Sequence, residues 1–429
     1  ITFNHLNRSR PKRNTLWISL LTGQKTSAKI KPDKFMEKKI IEQEVAQMEA
    51  RKGINHSIEQ MRKWLDAYLP EHKNLKSVQI AGTNGKGSVC TWLNLIAREN
   101  GWSTGVFTSP HLICHFERMQ YNQANISSEE WHEIYTKWKD LFDREHFTMF
   151  EMDFWMALDW FLQKKPDLVI METGLGGERD AVTAMDHQAK AITNIGLDHM
   201  AWLGDTREQI ALTKGKIARK NVPVITAERD ESCLAVLRQC ALAAEAPFET
   251  GLRSFETWPA HLPVYQKDNL ALALTLADHL GLSVTAKQLE EIQKAFSWKG
   301  RFEILDTHPL LVADGAHNID GIRALAESCA GLEFKQIYFS VLKDKAGYEM
   351  IHELQKISSK IVLVDFENGR LADLETMARK ERLPEVSFDQ MMDHLENRKE
   401  KTLVCGSLYF VGELLAHWKG KNKNESCRV

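Results

Sequence analysis

Apolar residues between positions 37 and 70 recur every three or four residues, and this spacing predicts a helix with one buried face. The apolar stripe consists of Ile58, Met61, Leu65 and Leu69. Pro70 ends the pattern, because a proline ring clashes with the preceding turn of a helix. A short apolar run at 78–81 follows and predicts a buried strand in front of a second helical stripe.

Short apolar runs then alternate with helical stretches along the rest of the chain, and Ser127 and Thr206 are predicted helix N-caps. The runs predicted as strands are 78–81, 103–108, 167–172, 191–195, 222–226, 309–313, 337–341, 361–364 and 402–405. Strands that alternate with helices are typical of an α/β fold with a mostly parallel sheet. We place a joint near Gly300, and we expect a smaller Rossmann-like α/β domain beyond it.

The length of 429 residues suits two domains, which we predict at 36–297 and 298–420. Residues 421–429 form a polar tail that we expect to be disordered. Residues 1–35 are rich in arginine and lysine and contain no acidic residue before Asp33. This leader is either an organelle transit peptide or an upstream extension before Met36. We favour the extension and exclude the leader from the fold.

Composition excludes several classes of protein. A hydrophobic share of 43% and a charged share of 27% are those of a soluble globular protein. A net charge of −2 provides no basic surface for nucleic acid, and no apolar run is long enough to cross a membrane. The seven cysteines are dispersed and contain no Cys-x-x-Cys pair, which favours reduced thiols in a cytoplasmic compartment.

A glycine-rich stretch, Gly-Thr-Asn-Gly-Lys-Gly-Ser at 82–88, connects the first predicted strand to a helix that Ser88 is predicted to open. We call residues 82–87 the glycine loop. Backbone N–H groups in such a loop and at a helix N-terminus attract phosphate. Lys86 is placed to reach the outer phosphates of a nucleotide, and Ser88 to approach a phosphate-bound Mg²⁺. The candidate phosphate-binding residues are Thr83, Asn84, Gly85, Lys86, Gly87 and Ser88. The spacing differs from G-x-x-x-x-G-K-[ST], so a plain glycine-rich turn is the alternative.

Three polar residues, Ser109, Glu172 and His199, stand at or just after the ends of predicted strands. Because parallel strands present their carboxyl ends at one edge of a sheet, we expect these residues near one cleft. A carboxylate at the end of a buried strand, such as Glu172, is typical of a group that holds Mg²⁺. Taken alone, Ser109 lies in an ordinary turn and His199 is an ordinary loop histidine, so these alternatives stay open.

The glycine loop resembles that of folylpolyglutamate synthases and dihydrofolate synthases, which are relatives of the Mur ligases. Four later segments share the resemblance, in chain order: Thr-Ser-Pro-His at 108–111, Thr-Met-Phe-Glu at 148–151, Trp-Lys-Gly-Arg-Phe-Glu at 298–303 and Asp-Gly-Ala-His-Asn at 314–318. The resemblance implies a P-loop-containing, Mur-ligase-like central α/β domain with a mostly parallel sheet. It also implies that the smaller C-terminal domain is Rossmann-like.

The resemblance further implies ATP and two divalent metal ions as cofactors. Ser109 and Glu172 would hold Mg²⁺, and His199 would bind a second ion. Imidazole is an unusual ligand for Mg²⁺, so Mn²⁺ is an alternative there. Lys214 aligns with a lysine that is carbamylated in many relatives. The implied catalytic residues are Lys86, Lys214 and His317, and the implied nucleotide contacts beyond the glycine loop are Asn269, Arg301 and Asp314. Arg301 is alternatively a solvated charge in a linker.

In relatives, the segment that matches 148–151 is associated with the pterin end of the substrate. The resemblance therefore implies that 148–151 lies at the acyl-substrate end of the cleft. An equally good interpretation is that Thr148 caps a helix. The residues implied in substrate binding are Thr148, Phe150, Glu151, Asp180 and Ser407, of which the last would be a neighbour of glutamate or nucleotide.

The function that the resemblance implies is an ATP-dependent amide ligase, which joins L-glutamate to a folate or pteroate carboxylate through an acyl phosphate. The family leans towards monomers. The alternative is a nucleotide-binding paralogue without ligase activity, because several positions depart from the family pattern. These departures are Thr213, Lys216, Tyr265 and the run 178–180. The sequence leaves open whether the acceptor is dihydropteroate, tetrahydrofolate or both.

Overall fold

Two β-sheets organise the residues that the computed structural model describes, which are 34–53 and 56–418. The first sheet is built from β1 (Ser77–Ala81), β2 (Thr104–Phe107), β3 (Met119–Tyr121), β4 (Ala124–Asn125), β5 (Leu168–Glu172), β6 (Ala189–Ile192), β7 (Val224–Thr226) and β8 (Phe248–Thr250). Its strand order is β4-β3-β2-β5-β1-β6-β7-β8. The pairs β2–β3 and β3–β4 are antiparallel, and the other pairs are parallel. The strand β1 therefore lies between β5 and β6, with the glycine loop at its carboxyl end.

The second sheet is built from β9 (Glu303–Thr307), β10 (Leu310–Asp314), β11 (Gln336–Phe339), β12 (Ile361–Asp365), β13 (Glu385–Ser387) and β14 (Thr402–Cys405). Its order is β13-β12-β11-β14-β10-β9, and β9 alone in this sheet pairs antiparallel, at one edge. The prediction of an α/β fold with a mostly parallel sheet and a smaller α/β unit after it is confirmed.

Helices connect most of these strands. They are α1 (Lys34–Glu49), α2 (Ile58–Tyr68), α3 (Lys86–Glu99), α4 (Ser128–Arg144), α5 (Met149–Lys164), α6 (Met200–Leu203), α7 (Arg207–Gly215), α8 (Glu231–Ala243), α9 (Gln266–His279), α10 (Ala286–Ala295), α11 (Ile319–Ser328), α12 (Gly347–Leu354), α13 (Leu374–Glu381), α14 (Phe388–Glu396) and α15 (Leu408–Trp418). The predicted N-caps Ser127 and Thr206 are confirmed, and each forms a capping box with the side chain three residues later.

The helix that follows the glycine loop is held by apolar packing on two sides. Trp92 and Leu93 of α3 are fully buried, as are Val78 and Ile80 of β1 beneath them. The ring of Trp92 stacks on Phe296, with 3.7 Å between the centroids. Close-packed apolar contacts of this kind fix the backbone, so the first turn of α3 is rigidly positioned at the end of β1.

The single helix predicted over 37–70 is wrong. The helix α1 ends at Glu49, and α2 begins at Ile58 with Ser57 as its N-cap. Gly53 in the connection has a φ of +114°, a conformation that no α-helix contains. The regular spacing of apolar residues continues across this break, because α1 and α2 each bury one apolar face.

Other element bounds also differ from the predictions. The helix α3 begins at Lys86 instead of Ser88. The strands β3, β4, β8, β9 and β13 were not predicted. These strands are two to five residues long and are exposed or half-buried at most of their positions. Such strands lack the continuous apolar run that marks a buried strand.

The domain boundary proposed at 297/298 falls between α10 and β9, and it stays a prediction. The leader at 1–33 and the tail at 419–429 lie outside the described residues, whereas residues 34 and 35 belong to α1. Among the helices that the structure describes, each is too short or too polar to span a bilayer.

Candidate active site

A cavity of about 850 Å³ lies at the carboxyl ends of the first-sheet strands and is also lined by loops of the second sheet. Ser109, Glu172 and His199 all line this cavity together with the glycine loop, as their positions at strand ends predicted. The other candidate residues also line it, including Lys214, Asp314 and the residues of the 148–151 segment. Their roles stay predictions, but their convergence on one cavity is observed.

The glycines of the loop permit close approach of neighbouring chain segments. A Cβ atom at Gly82, where φ is +137°, would lie 1.8 Å from the Thr193 hydroxyl. A Cβ atom at Gly85, where φ is +88°, would lie 2.3 Å from the Asn269 Oδ1. Asn269, a candidate nucleotide contact, therefore lies directly against the loop. Only glycine combines this backbone conformation with this packing.

Two of the loop's N–H groups are already bonded within the protein. Thr83 donates its N–H to the Asn194 carbonyl at 2.9 Å, and Asn84 donates its N–H to the Asn194 side chain at 2.9 Å. The expectation that the N–H groups of the whole loop point at phosphate is therefore wrong for Thr83 and Asn84. The N–H groups of the first turn of α3, from Lys86 to Ser88, have no acceptor within the helix. The phosphate cradle is accordingly shorter than predicted.

The Lys86 ammonium lies below the glycine loop beside a buried carboxylate. Its Nζ is 3.4 Å from the Gly82 carbonyl oxygen, 3.3 Å from the Thr83 carbonyl oxygen and 4.0 Å from Glu172 Oε1. These are long contacts for an ammonium group. A nucleotide phosphate can therefore bind Lys86 without breaking a short ion pair.

Gln266 is a buried residue that sequence reasoning missed. Its amide donates to the Ser88 hydroxyl at 3.0 Å, and its carbonyl oxygen accepts from Trp92 Nε1 at 2.9 Å and from Asn269 Nδ2 at 3.0 Å. It thereby connects α9 to α3 and orients two candidate nucleotide-binding side chains. A glutamine at the start of an otherwise apolar helix is the signal that could have indicated it.

The residues predicted to hold metal are Ser109, Glu172 and His199. Glu172 is 4% exposed, and its Oε2 accepts the Ser109 N–H at 3.1 Å. Burial raises the pKa of Glu172, and the positive charge of Lys86 opposes this shift. Desolvation lowers the pKa of His199, so the ring is neutral at pH 7 and can donate a nitrogen lone pair. This set of oxygen and nitrogen donors around an under-neutralised carboxylate fits a divalent cation.

Lys214 is buried against the glycine loop. Its Nζ donates to the Gly82 carbonyl at 2.7 Å. Burial, together with the charge of Lys86, lowers the pKa of Lys214 to about 7. Its neighbours Thr213 and Lys216 depart from the family pattern. The Thr213 hydroxyl donates to the Gln209 carbonyl in its own helix, and Lys216 pairs with exposed Glu178, so neither residue lines the cavity.

The segment 148–151 has the structure of a helix start. The Glu151 carboxylate accepts the Thr148 N–H at 2.8 Å, and the Thr148 hydroxyl accepts the Glu151 N–H at 3.4 Å. The interpretation of Thr148 as a helix cap is confirmed. Phe150 packs so closely on Gly174 that a Cβ atom there would lie 2.5 Å from its ring. The substrate role of the segment stays a prediction.

The Asp180 carboxylate, another predicted substrate contact, binds the loop that precedes it. It accepts the N–H groups of Gly174 and Leu175 at 2.9 Å and that of Val182 at 3.0 Å. Burial raises the pKa of Asp180 to about 6. Its observed contacts therefore stabilise the loop at 174–182, and substrate binding by Asp180 stays a prediction.

On the second-sheet side of the cavity, Asp314 is buried and bonded to three donors. It accepts from the Tyr265 hydroxyl at 2.8 Å, from the Phe302 N–H at 2.7 Å and from the Ala316 N–H at 2.8 Å. Burial raises the pKa of Asp314, and the charge of Arg301 opposes the shift. Arg301 lines the cavity and donates only to the Gly300 carbonyl among the contacts described, which leaves most of its guanidinium available.

Two further candidates lie on the same side. His317 Nδ1 is 2.8 Å from the Gly315 carbonyl oxygen, and its Nε2 is 3.4 Å from Asp198 Oδ2. The Ser407 hydroxyl is buried and has no hydrogen-bond partner among the residues that the structure describes. A buried hydroxyl without a partner is costly, so the position is suited to a polar group of a ligand.

Asp198 was not singled out by the sequence. Its carboxylate binds Lys345 Nζ at 2.5 Å and Asn318 Nδ2 at 3.0 Å, both from the second-sheet side. Burial acts to raise the pKa of Asp198, but its hydrogen bond with His317 and the charge of Lys345 hold that pKa well below the usual range. Asp198 is therefore ionised and connects the two sides of the cavity.

The fold and this site define the class. A family model described as Mur ligase middle domain matches residues 80–243, which include the glycine loop, Glu172 and His199. The chain is 30% identical over 407 residues to a dihydrofolate synthase/folylpolyglutamate synthase of Bacillus subtilis, a match that covers 84% of this chain and 95% of that protein. The chain therefore belongs to the folylpolyglutamate synthase/dihydrofolate synthase family, whose members are ATP-dependent ligases.

Solved structures agree with this membership. Escherichia coli FolC in complex with DHPP and ADP is 25% identical, with a TM-score of 0.80 over 89% of this chain and 98% of that chain. A bifunctional folylpolyglutamate synthase/dihydrofolate synthase with Mn, AMPPNP and L-glutamate bound is 26% identical, with a TM-score of 0.79 over 88% of this chain and 97% of that chain.

Proposed function

We propose that this chain uses ATP to activate the carboxylate of a folate or pteroate substrate and then joins L-glutamate to that carboxylate. Without these co-substrates it is expected not to hydrolyse ATP. The observation that carries the proposal is that Lys86, Ser109, Glu172 and His199 line one cavity with Asp314 and His317 of the second-sheet side. Relatives with this fold bind ADP with DHPP, and AMPPNP with Mn and L-glutamate. The candidate phosphate-binding residues and the candidate second-substrate residues thus line one cavity.

The first step brings two negative groups together, the substrate carboxylate and the terminal phosphate of ATP. Lys86 and the first-turn N–H groups of α3 stabilise the charge that spreads over the transferring phosphoryl group. Ser109 and Glu172 would hold one Mg²⁺, and His199 would hold a second ion for which Mn²⁺ is an alternative. Bound divalent ions neutralise phosphate charge and orient the oxygens for in-line transfer. Carboxylate oxygen forms a bond to phosphorus, and ADP leaves.

The second step consumes the resulting acyl phosphate. The amine of glutamate attacks the acyl carbon, an amide bond forms, and inorganic phosphate leaves with the bonding electrons. The attacking amine has to lose a proton, and His317 is the cavity residue that we assign to accept it. Ser407, whose buried hydroxyl lacks a partner in the described chain, is assigned to an oxygen of the glutamate.

An acyl phosphate reacts readily with water, so the site has to exclude it. The cavity is bounded by loops of both sheets, and the Asp198–Lys345 and Asn84–Asn318 contacts join them. Enclosure of this kind favours amide formation over hydrolysis.

Lys214 is proposed to be carbamylated. A carbamate forms when a neutral amine attacks CO₂ and releases a proton, and burial with a pKa of about 7 leaves much of the Lys214 amine neutral near that pH. The modified side chain would carry a negative charge beside the glycine loop. Intact-protein mass spectrometry in bicarbonate, compared with a bicarbonate-free sample, measures the modification.

Cellular location and assembly also remain proposals. Cys90, Cys233, Cys240, Cys329 and Cys405 form no disulfide among the described residues, which fits a reducing, cytoplasm-like compartment. A monomer is proposed because the family that the chain resembles leans towards monomers. Size-exclusion chromatography with light scattering measures the assembly directly.

The test of the proposed function is release of phosphate from ATP with and without each co-substrate. We expect release only when both L-glutamate and a pteroate or folate acceptor are present. Binding of ATP without turnover under any combination would instead support a nucleotide-binding paralogue. Dihydropteroate and tetrahydrofolate monoglutamate, compared as acceptors in the same assay, identify which reaction the chain performs.

A further inference from the structure

The Asp198 carboxylate is the point where the loops of the two sheets meet beside the proposed metal site. It follows β6 in the first sheet, and its side chain is 6% exposed. Lys345, from the loop after β11, places its Nζ 2.5 Å from Asp198 Oδ1, and its own side chain is 8% exposed. An ion pair between two buried side chains is costly to disturb on one side only.

The same carboxylate determines the backbone at the next residue. Asp198 Oδ1 accepts the His199 N–H at 2.8 Å. His199 has a φ of +52°, in the left-handed region that non-glycine residues seldom occupy. The oxygen that binds Lys345 therefore also holds the unusual turn that aims the His199 ring into the cavity.

A second oxygen of Asp198 adds further contacts to the second-sheet side. Asp198 Oδ2 accepts from Asn318 Nδ2 at 3.0 Å and lies 3.4 Å from His317 Nε2. Asn318 also exchanges two amide hydrogen bonds with Asn84 of the glycine loop, at 3.0 and 3.1 Å. Asn318 is the N-cap of α11, so its position is fixed by that helix.

We propose that Asp198 is a positioning residue that couples the seating of the second-sheet loops, through Lys345, to the orientation of His199 for the second divalent ion. The inference rests on the proposed function, because it takes His199 as a ligand of that ion. It assigns positioning roles to Asp198 and Lys345, which line the same cavity and are proposed to act through His199.

The experiment compares Asp198→Asn, Lys345→Met and the double variant with the wild-type enzyme. Binding of Mn²⁺ is measured by electron paramagnetic resonance in the presence of AMPPNP, and thermal unfolding is measured in parallel. Lys343→Met is the matched control, because Lys343 is an exposed lysine on the same loop and lies outside the cavity.

We expect wild type to bind two ions, and each single variant to retain the first ion while its affinity for the second falls about tenfold or more, as is typical when a group supporting a ligand is removed. The double variant should lose no more affinity for the second ion than the single variant that binds this ion less tightly. Each single substitution already removes the same Asp198–Lys345 interaction. The double variant also lacks both buried charges, so it stays folded even if one single variant does not. Lys343→Met should bind as wild type does.

Three results would overturn the inference. These are unchanged binding of the second ion in both single variants, losses that add fully in the double variant, or equal loss of both ions in every variant. If the wild type turns over both co-substrates and binds two ions, but the variants give any of these three results, only the positioning role is wrong. If wild type binds no second ion, the assignment of His199 in the proposed function is wrong as well.

Discussion

Two charged sites in the cavity, the Lys86–Glu172 pair on the first-sheet side and Asp314 on the second-sheet side, differ in how closely they are bonded. On the first-sheet side, the Lys86 ammonium and the Glu172 carboxylate are 4.0 Å apart, and the closest contacts of that ammonium are 3.3 Å and longer. On the second-sheet side, Asp314 accepts from three donors at 2.7 to 2.8 Å. Buried charges without close partners suit a site that binds a charged ligand, whereas fully bonded charges stabilise the protein itself.

This difference predicts which substitutions should lower turnover without lowering stability. Under the proposed function, ATP and metal would supply the missing partners of Lys86 and Glu172, so loss of either residue should affect turnover more than stability. On the second-sheet side, loss of a donor to Asp314 leaves a buried carboxylate less satisfied. Stability should then fall together with activity.

The largest expected effect is on the first-sheet side. Lys86→Met or Glu172→Gln should lower kcat by about 10³-fold or more, since each removes a charge that stabilises the transferring phosphoryl group. The Tm should change little. Glu178→Gln is the control, because Glu178 is an exposed carboxylate on the next loop. Near-normal turnover of either variant would show that the phosphate does not bind beside Lys86.

Lys214→Gln should come next, with a loss of kcat of about 10²-fold. Because the pKa of Lys214 is about 7, the neutral amine that reacts with CO₂ becomes more abundant as the pH rises through that value. Activity of the wild type should therefore rise with pH and bicarbonate across this range, and the variant should lack the bicarbonate response. Lys190→Met is the control, because Lys190 is also buried with a pKa of about 7 but lies outside the cavity. If the Lys214→Gln variant shows the same bicarbonate response as the wild type, carbamylation at Lys214 is refuted.

Arg301→Ala tests whether the joint between the sheets contributes to the nucleotide site. The KM for ATP should rise about tenfold, because a charged donor to phosphate is removed. The KM for glutamate should change less. Arg379→Ala, at an exposed arginine on α13, is the control. An unchanged KM for ATP would return Arg301 to the interpretation as a linker charge.

The smallest effect is expected for Tyr265→Phe, which removes one of the donors to Asp314. The free energy of unfolding should fall by about 1 kcal/mol, the net value of one hydrogen bond. Turnover should fall only a few-fold. The pKa of Asp314 is already raised by burial, and loss of the Tyr265 donor should raise it further. If Tyr265→Phe lost turnover without losing stability, Asp314 would not be the more fully bonded of the two charged sites.

Local patterns in the sequence were sufficient for the parts of the site that one strand and its following loop create. Glu172, Ser109 and His199 could be predicted because each stands at the end of an apolar run, and parallel strands end at a common edge. The capping role of Thr148 was also readable from four consecutive residues.

Contacts between distant segments could not be predicted in the same way. Asp198 and Lys345 are 147 residues apart, and neither has a local pattern that indicates the other. Asn194 takes up two N–H groups of the glycine loop although it belongs to another strand connection. The break between α1 and α2 was missed because both helices continue one apolar stripe.

The central claim is that a substrate carboxylate is activated by phosphoryl transfer at the first-sheet side before glutamate attacks. The most direct measurement labels that carboxylate with a heavy oxygen isotope and analyses the phosphate released during turnover by mass spectrometry. We predict that one labelled oxygen is transferred from the carboxylate to each phosphate, since the carbon–oxygen bond breaks when the amide forms. Phosphate that carries no label, at a yield of amide equal to the phosphate released, would contradict the account.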